Sequence, residues 1–546
     1  MEPEAVLAIE GNLVDVANSL IYPAEVLIEG GRIAGIRAVS RSFETFLMPP
    51  FIDAHIHVES SLLPPSSFAR VAVAHGTLAV VSDPHEIANV LGVQGVEYMI
   101  EDGGRVPFRF FFGAPSCVPA SPFETSGSRI GAMEVEGLFL RGDVWFLSEV
   151  MDYPGVIGGD PELMAKIGVA RRFGKPIDGH APGLTGEALR RYVGAGITTD
   201  HECTTLEEAL EKVELGMKIL IREGSSACNL DALSPLIERY PDMCMLCSDD
   251  RSPHHLAKGH MDEILRRVVG CGVDPMKAIR AATLNPVLHY GLPAGLLREG
   301  DPADFIVVGD LRDFRVIRAY VGGRLVACEG EATFDAPSPR VLNNFAARPT
   351  VPSMFAVRGR GVANVICAHD GSIVTGRVRE APSFEGGVAV SDPSRDVLKI
   401  AVLCRYLDVP PSVGFVKGFG IKRGAIASSV SHDSHNVVVV GVADEDISRA
   451  ANLVIERRGG IAAVYGSREA VLPLPIAGLM SDGDPMGVVR SYEAMEEMAR
   501  CMGSCLLAPF MTLSFMSLLV VPSLKLSDRG LFDVDRFCFI DLFEEG

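Results

Sequence analysis

The sequence predicts an α/β chain built around a (β/α)8, TIM-like barrel. Two observations carry that prediction. Eight apolar strand candidates alternate with helical patterns over a central stretch of the usual size for this fold, about 250 residues. Each of six His, Glu and Asp residues falls where one of those apolar runs ends, the rim on which such barrels carry their chemistry.

The elements follow in order. Residues 1–48 read as short strands; Glu25-Val-Leu-Ile-Glu-Gly-Gly-Arg-Ile-Ala-Gly-Ile36 is a strand, a Gly-Gly turn and a strand. The same pattern returns at Asp304-Phe-Ile-Val-Val-Gly309 and from Val316 onward, so 1–48 and 299–335 are expected to form one small β-sandwich from both flanks of the barrel. Within the barrel, 49–298, the strand candidates are 52–57, 78–85, 108–116, 144–149, 176–180, 197–201, 218–224 and 243–250. Helical patterns cover 159–173, 185–195, 206–215 and 256–270. Residues 336–352, rich in Pro and Arg, read as a linker. Residues 350–546 read as an α+β domain, with a strand at 436–441 and a helix at 444–458. The apolar run 506–524 carries Pro509, Pro522, Thr512, Ser514 and Ser517, which predicts buried core rather than a membrane span.

A net charge of -20 and a pI of about 5.1 argue against nucleic acid or anionic membrane as partners, because phosphate contacts need clustered Lys and Arg. Twelve Cys without a regular framework suggest reduced thiols and a cytoplasmic protein. The first residues lack a basic and then apolar stretch, so no signal peptide is expected. His57-Val-Glu59 followed by Cys244 and Cys247 resembles the HxE and CxxC signature of zinc nucleobase deaminases, but the halves lie on the first and eighth strands, far apart in sequence, and Met243 stands where that signature needs Pro; both cysteines read as core.

The chemistry starts at Phe51-Ile-Asp-Ala-His-Ile-His-Val-Glu-Ser60. Alternate residues of a strand share a face, so His55 and His57 point together. Glu149, His180, His201 and Asp249 end the fourth, fifth, sixth and eighth strands. Four imidazoles and two carboxylates suit a pair of divalent cations, with Glu149 as a bridging carboxylate and Asp249 as both ligand and proton acceptor. The second strand ends in Ser82-Asp-Pro-His-Glu86, which brings Asp83, His85 and Glu86 to the same mouth. There a protonated Glu86 would donate to a substrate ring nitrogen, or His85 would polarise a leaving group. Strand register favours Asp249 over Asp250 as the metal ligand.

With these residues in hand, the chain resembles the amidohydrolase superfamily and, within it, the adenine deaminase family. The broader likeness rests on Ile52-Asp-Ala-His-Ile-His57, the strand-end ligands, Ala281-Ala-Thr-Leu-Asn-Pro286 and Gly300-Asp-Pro-Ala-Asp304. The narrower one rests on Asp83-Pro-His-Glu-Ile-Ala-Asn-Val90, Ser248-Asp-Asp-Arg251, Ser431-His-Asp-Ser-His-Asn436 and Pro509-Phe-Met-Thr-Leu-Ser-Phe515, and it spans nearly the whole chain. The resemblance implies hydrolysis of adenine to hypoxanthine and ammonia, by attack of a metal-bound hydroxide on C6. It implies a binuclear centre of manganese or iron, with zinc as a further choice. Asp83, Asp250, His432 and His435 are the expected substrate contacts, and His432, Asp433, His435 and Asn436 are expected to close over the site from the third domain. Adenine is the expected partner, and a second copy of the chain in a homodimer. The rival readings are an amidohydrolase acting on a cyclic amide or N-acyl substrate, and a catalytically dead scaffold.

Overall fold

The computed structural model describes residues 7–543. Eight parallel strands occupy its centre: β1 (Phe51–Ile56), β2 (Thr77–Ser82), β3 (Arg109–Phe112), β4 (Leu147–Val150), β5 (Ile177–Gly179), β6 (Thr199–Asp200), β7 (Lys218–Arg222) and β8 (Cys244–Cys247). Pairing runs β1-β2-β3, β4-β5 and β6-β7-β8, all parallel. Bridges from Ala114 to Leu147 and from Ile56 to Asp249 carry the order on from β3 to β4 and from β8 back to β1. This is a TIM-barrel-like fold, with a further domain after it.

Strands β1, β2 and β8 have no partly exposed residue, and β3 and β7 are partly exposed only where they begin, as suits parallel strands between helices. Cys244 and Cys247 sit inside β8, where burial pushes both thiols up, as expected of core cysteines. Helices Pro161–Arg172, Gly186–Gly194 and Leu206–Glu214 lie where the sequence periodicity puts them. The expected helix 256–270 is instead two, Pro253–Lys258 and Met261–Gly270. The break has a local cause: Gly259 is extended, and His260 turns inward so that its Nε2 meets Asp53 Oδ2 at 2.9 Å, beneath the histidine strand.

The flanking strands join one eight-stranded sheet whose two ends come from opposite sides of the barrel. Rather than two flat layers, this sheet curls back on itself. Arg32 on its edge strand bridges to Pro302, which leads into the strand Phe305–Val308. After the barrel, residues 335–351 form no helix or strand, yet they are tied down: Asn343 donates to the Arg458 carbonyl at 2.6 Å and Ala346 to that of Arg405 at 2.7 Å.

The last domain is α+β. Its eight-stranded sheet packs helix Asp444–Glu456 against strands Ala425–Ser428, Val437–Gly441 and Gly460–Tyr465. The apolar run after Leu506 folds into the short buried helix Pro509–Ser514 and the turn that follows it. Among the described residues no helix is long and apolar enough to cross a membrane. Loop residues 429–436 and 515–520 of this domain reach the mouth of the barrel and cover it.

Candidate metal centre and its cap

His55 and His57 stand at the end of β1, one face apart from the strand's core residues, and both are buried. The His57 Nδ1 donates to the Asp83 carbonyl at 3.2 Å, which leaves the Nε2 lone pair facing inward, the arrangement a metal-binding imidazole needs. His57 Nε2 lies 3.4 Å from Glu149 Oε1 and 3.2 Å from Asp249 Oδ1. His55 Nε2 is 3.4 Å from the same Asp249 oxygen. The other Glu149 oxygen, Oε2, meets His180 Nδ1 at 2.8 Å and His201 Nε2 at 3.2 Å. Glu149 thus touches imidazoles from three strands and spans the cluster. Burial alone would raise its pKa, but the His180 and His201 rings hold the carboxyl well below the usual carboxylate range.

Asp249 is brought in by an unusual backbone. Its φ is 56°, in the left-handed region that Asp tolerates better than most residues. Hydrogen bonds from Asp249 N to the His55 carbonyl (2.9 Å) and from His57 N to the Asp249 carbonyl (3.2 Å) strap this turn to β1. The following residue therefore faces elsewhere: Asp250 accepts from the Ser60 hydroxyl and lines the cavity above the cluster.

Two groups in this cluster escaped the sequence reading. Glu202 Oε1 lies 3.4 Å from His201 Nε2 and 3.6 Å from His180 Nδ1. Arg222 grips Glu202 with both arms, donating from Nη2 to Oε2 at 2.9 Å, and reaches Asp249 Oδ2 from Nη1 at 2.6 Å. Burial would raise the Asp249 pKa, but this guanidinium, helped by His55 and His57, keeps it well below the usual range. The signal for Arg222 was a cation inside the apolar strand Lys-Ile-Leu-Ile-Arg, which burial makes costly without acids beside it.

A second group of side chains lies above the first. Asp83 Oδ1 accepts from the His85 backbone N–H at 3.0 Å, and its Oδ2 lies 3.1 Å from His85 Nδ1. Burial opposes a proton on His85, but Asp83 and Glu86 outweigh it and raise its pKa well above the ordinary value. Both Glu86 oxygens lie against imidazoles of the last domain, Oε1 against His432 Nδ1 and Oε2 against His435 Nε2. Ser431 N–H donates to His435 Nδ1 at 3.2 Å, so the proton of that ring sits on Nε2 and points at Glu86. These imidazoles and His85 overcome burial and hold Glu86 well below the carboxylate range. Glu86 and His85, the two groups considered for donation to a substrate, thus stand together at this mouth, His85 Nε2 lying 3.5 Å from Glu86 Oε1. The cap is braced from behind by Arg405, whose Nη1 donates to the His435 carbonyl at 3.2 Å, and by Asn436, which donates to Thr125 of the barrel at 2.9 Å.

Between the two groups lies a cavity of about 40 Å³, walled by His85, Glu149, Asp249 and Asp250 below and by Ile373, His432, Asp433, Phe515, Leu518 and Val520 above. The apolar run around residue 515 gave no direction in sequence; here Phe515 stacks on His432 with ring centres 4.6 Å apart. Its backbone is held by Lys525, fully buried, whose Nζ donates to the Phe515 and Ile373 carbonyls at 2.9 and 2.8 Å. Burial brings that ammonium down to about 7.

The donor set fits divalent cations. His55, His57 and Asp249 offer ligand atoms close enough for one ion, and so do His55, Glu149 and His201. Neither His55 nitrogen nor His180 Nε2 has a hydrogen-bond partner although all three are buried, a costly arrangement that ligation through one His55 nitrogen would relieve in part. A TIM-barrel-like fold with imidazoles and carboxylates converging at its strand ends defines a metal-dependent hydrolase of the amidohydrolase class, and residues 46–326 match the Amidohydrolase family. Residues 372–538 match the Adenine deaminase C-terminal domain. The chain is 55% identical over 542 residues to an adenine deaminase of Salinibacter ruber, with 99% of each covered. It is 50% identical over 544 residues to one of Methanosarcina barkeri, covering 98% of this chain and 99% of that one. The chain belongs to the adenine deaminase family.

Proposed function

We propose that this protein hydrolyses adenine to hypoxanthine and ammonia. One observation carries the reading beyond family membership: a donor cluster for divalent cations opens directly onto a cavity whose far wall is apolar and aromatic, the surroundings a flat heteroaromatic ring requires. His55, His57, His180, His201, Glu149 and Asp249 would hold two divalent ions. When bound, such ions supply an acidified water and offset negative charge.

The chain's own groups do the rest. Asp249, with Oδ2 held by Arg222 and Oδ1 turned into the cluster beside His55 and His57, would accept the proton of the attacking water and return it to the departing amine. His85, kept protonated by Asp83 and Glu86, donates from Nε2 into the cavity and offsets negative charge that builds up on the substrate. Asp250 and His432 line the ring's path, and the cap excludes bulk water. Glu202 and Arg222 orient the ligands from behind.

Manganese or iron is the favoured metal, with zinc third, on the strength of a nitrogen and oxygen donor set without thiolate. The reading also takes in a cytoplasmic homodimer serving purine salvage. Its domains would be 1–48 with 299–335, then 49–298, then 350–546.

The test is turnover of adenine by protein reconstituted with manganese and kept free of iron, followed by ultraviolet absorbance and ammonia release. Hypoxanthine formation that stops on chelation is expected. Two bound metals without adenine turnover would reject the substrate and turn attention to cyclic amides.

A further inference from the structure

Of the cap residues that line the cavity, two carry a buried polar atom without a partner: His432 Nε2 and Asp433 Oδ2. Both residues are only 3% exposed and both line the cavity above the donor cluster. The other acids around that cavity are occupied. Glu86 accepts from two imidazoles, Asp250 from Ser60, Asp249 from Arg222, and Glu149 faces the donor rings. A buried polar group left unpaired is costly, so an empty acceptor facing a ligand cavity marks a contact that the ligand completes.

Position narrows which contact. Asp433 Oδ1 is 3.8 Å from His85 Nε2, while the other nitrogen of the same ring, Nδ1, is 3.5 Å from Glu149 Oε1. The His85 ring thus stands between Asp433 and the donor cluster, and Asp433 is at the far end of the cavity. A carboxylate only accepts hydrogen bonds. Adenine carries N–H donors at two places, the amine on C6 and the imidazole nitrogen. The amine must lie at the cluster, where the bond to it breaks. Of the imidazole positions, N7 flanks the reacting carbon and N9 lies across the ring from it.

Resting on the adenine reading above, we infer that Asp433 accepts the N9–H of the free base and is the residue by which this enzyme rejects nucleosides and other N9-substituted purines. A substituent at N9 removes the donor and pushes carbon against the carboxylate. Both effects act together, because a site built to bond a substrate N–H discriminates far more strongly than one that merely fits its shape. His432, pinned through Nδ1 by Glu86 and stacked on Phe515, supplies the neighbouring polar contact from Nε2.

The experiment compares kcat/KM for adenine and 9-methyladenine in the metal-loaded parent, Asp433→Asn and Asp433→Ala, with metal content measured in each. The parent should prefer adenine by about 10³-fold or more. Asp433→Ala should lose adenine activity and bring the ratio to within about tenfold, while Asp433→Asn, which keeps a carbonyl acceptor, should recover part of the preference. Both variants should retain their metal. An unchanged ratio in Asp433→Ala, or a parent that accepts 9-methyladenine as readily as adenine, would overturn the assignment while leaving the adenine reading intact. A parent that binds metal but does not deaminate adenine would sink both. A second measurement needs no variant: hypoxanthine should inhibit the parent at least about 100-fold better than 9-methylhypoxanthine, and equal inhibition would count against Asp433 as decisively.

Discussion

The mouth of the barrel holds two clusters of histidine and acid that differ in how they are satisfied. In the lower one, around Glu149 and Asp249, imidazole nitrogens of His55 and His180 are buried without partners. In the upper one, Glu86 takes up one nitrogen from each of His432 and His435, and Ser431 takes up the other nitrogen of His435. The lower cluster is incomplete as protein alone, so it is arranged around something else. The upper one ties barrel to cap through Glu86 and works as a latch, with His432 Nε2 and Asp433 Oδ2 on its cap side left open for a ligand. Similar residue types thus serve different purposes, and the partner of the central acid tells the two apart: Glu149 gathers rings from three barrel strands, while Glu86 reaches across to two rings of the last domain.

The sharpest way to break this contrast is Glu149→Gln. A neutral side chain cannot offset two cations or span three imidazoles, so kcat/KM should fall by about 10³-fold or more. Metal content by plasma emission should fall with it, and a variant that keeps both ions and most activity would end the assignment of Glu149 to the lower cluster. Glu86→Gln should separate the clusters. It removes the charge from two buried hydrogen bonds, each worth about 1.5–3 kcal/mol, so activity should drop roughly 100-fold while the metal stays. Loss of metal together with activity would show that the two clusters are not independent.

The smallest effect concerns pH. Burial lowers the His432 pKa, but Glu86, Asp250 and Asp433 raise it to about 9, above its ordinary 6.5, while burial brings that of His435 beside it down. A raised folded-state pKa means the latch contributes its full stability below about pH 6.5 and loses it as pH climbs through about 9. Hydrogen exchange of residues 429–436, corrected for intrinsic rates, should therefore quicken between pH 7 and pH 9.5 in the parent and change little in His432→Asn. A flat profile in the parent would assign the latch to packing alone.

The lower cluster was legible in sequence because each of its groups closes an apolar strand, and a parallel barrel gathers strand ends. Eight strand positions were readable for the same reason, since a run such as Thr-Leu-Ala-Val-Val-Ser is too short and apolar to be anything else. Glu202 was not, because it follows His201 directly and a strand would send the two to opposite faces; a two-residue β6 ends before that alternation applies. The helix break at Gly259 depended on Asp53, some two hundred positions earlier, and no local pattern encodes such a contact. The cap was legible only as a likeness. Its motif Ser431-His-Asp-Ser-His-Asn436 suggested closure over the site, but nothing local says that Glu86 is its partner or that Asp433 faces inward.

The partners of the latch, Glu86 and His432, are 346 residues apart. A ribosome adding about 5–20 residues per second needs roughly 20–70 s to travel from one to the other. Every donor of the lower cluster, from His55 to Asp249, leaves the ribosome before the first residue of the cap loops. Translation order thus leaves an interval in which metal can reach its ligands from open solvent. Only afterwards does the finished chain place a door over them, and from then on the cap selects what enters.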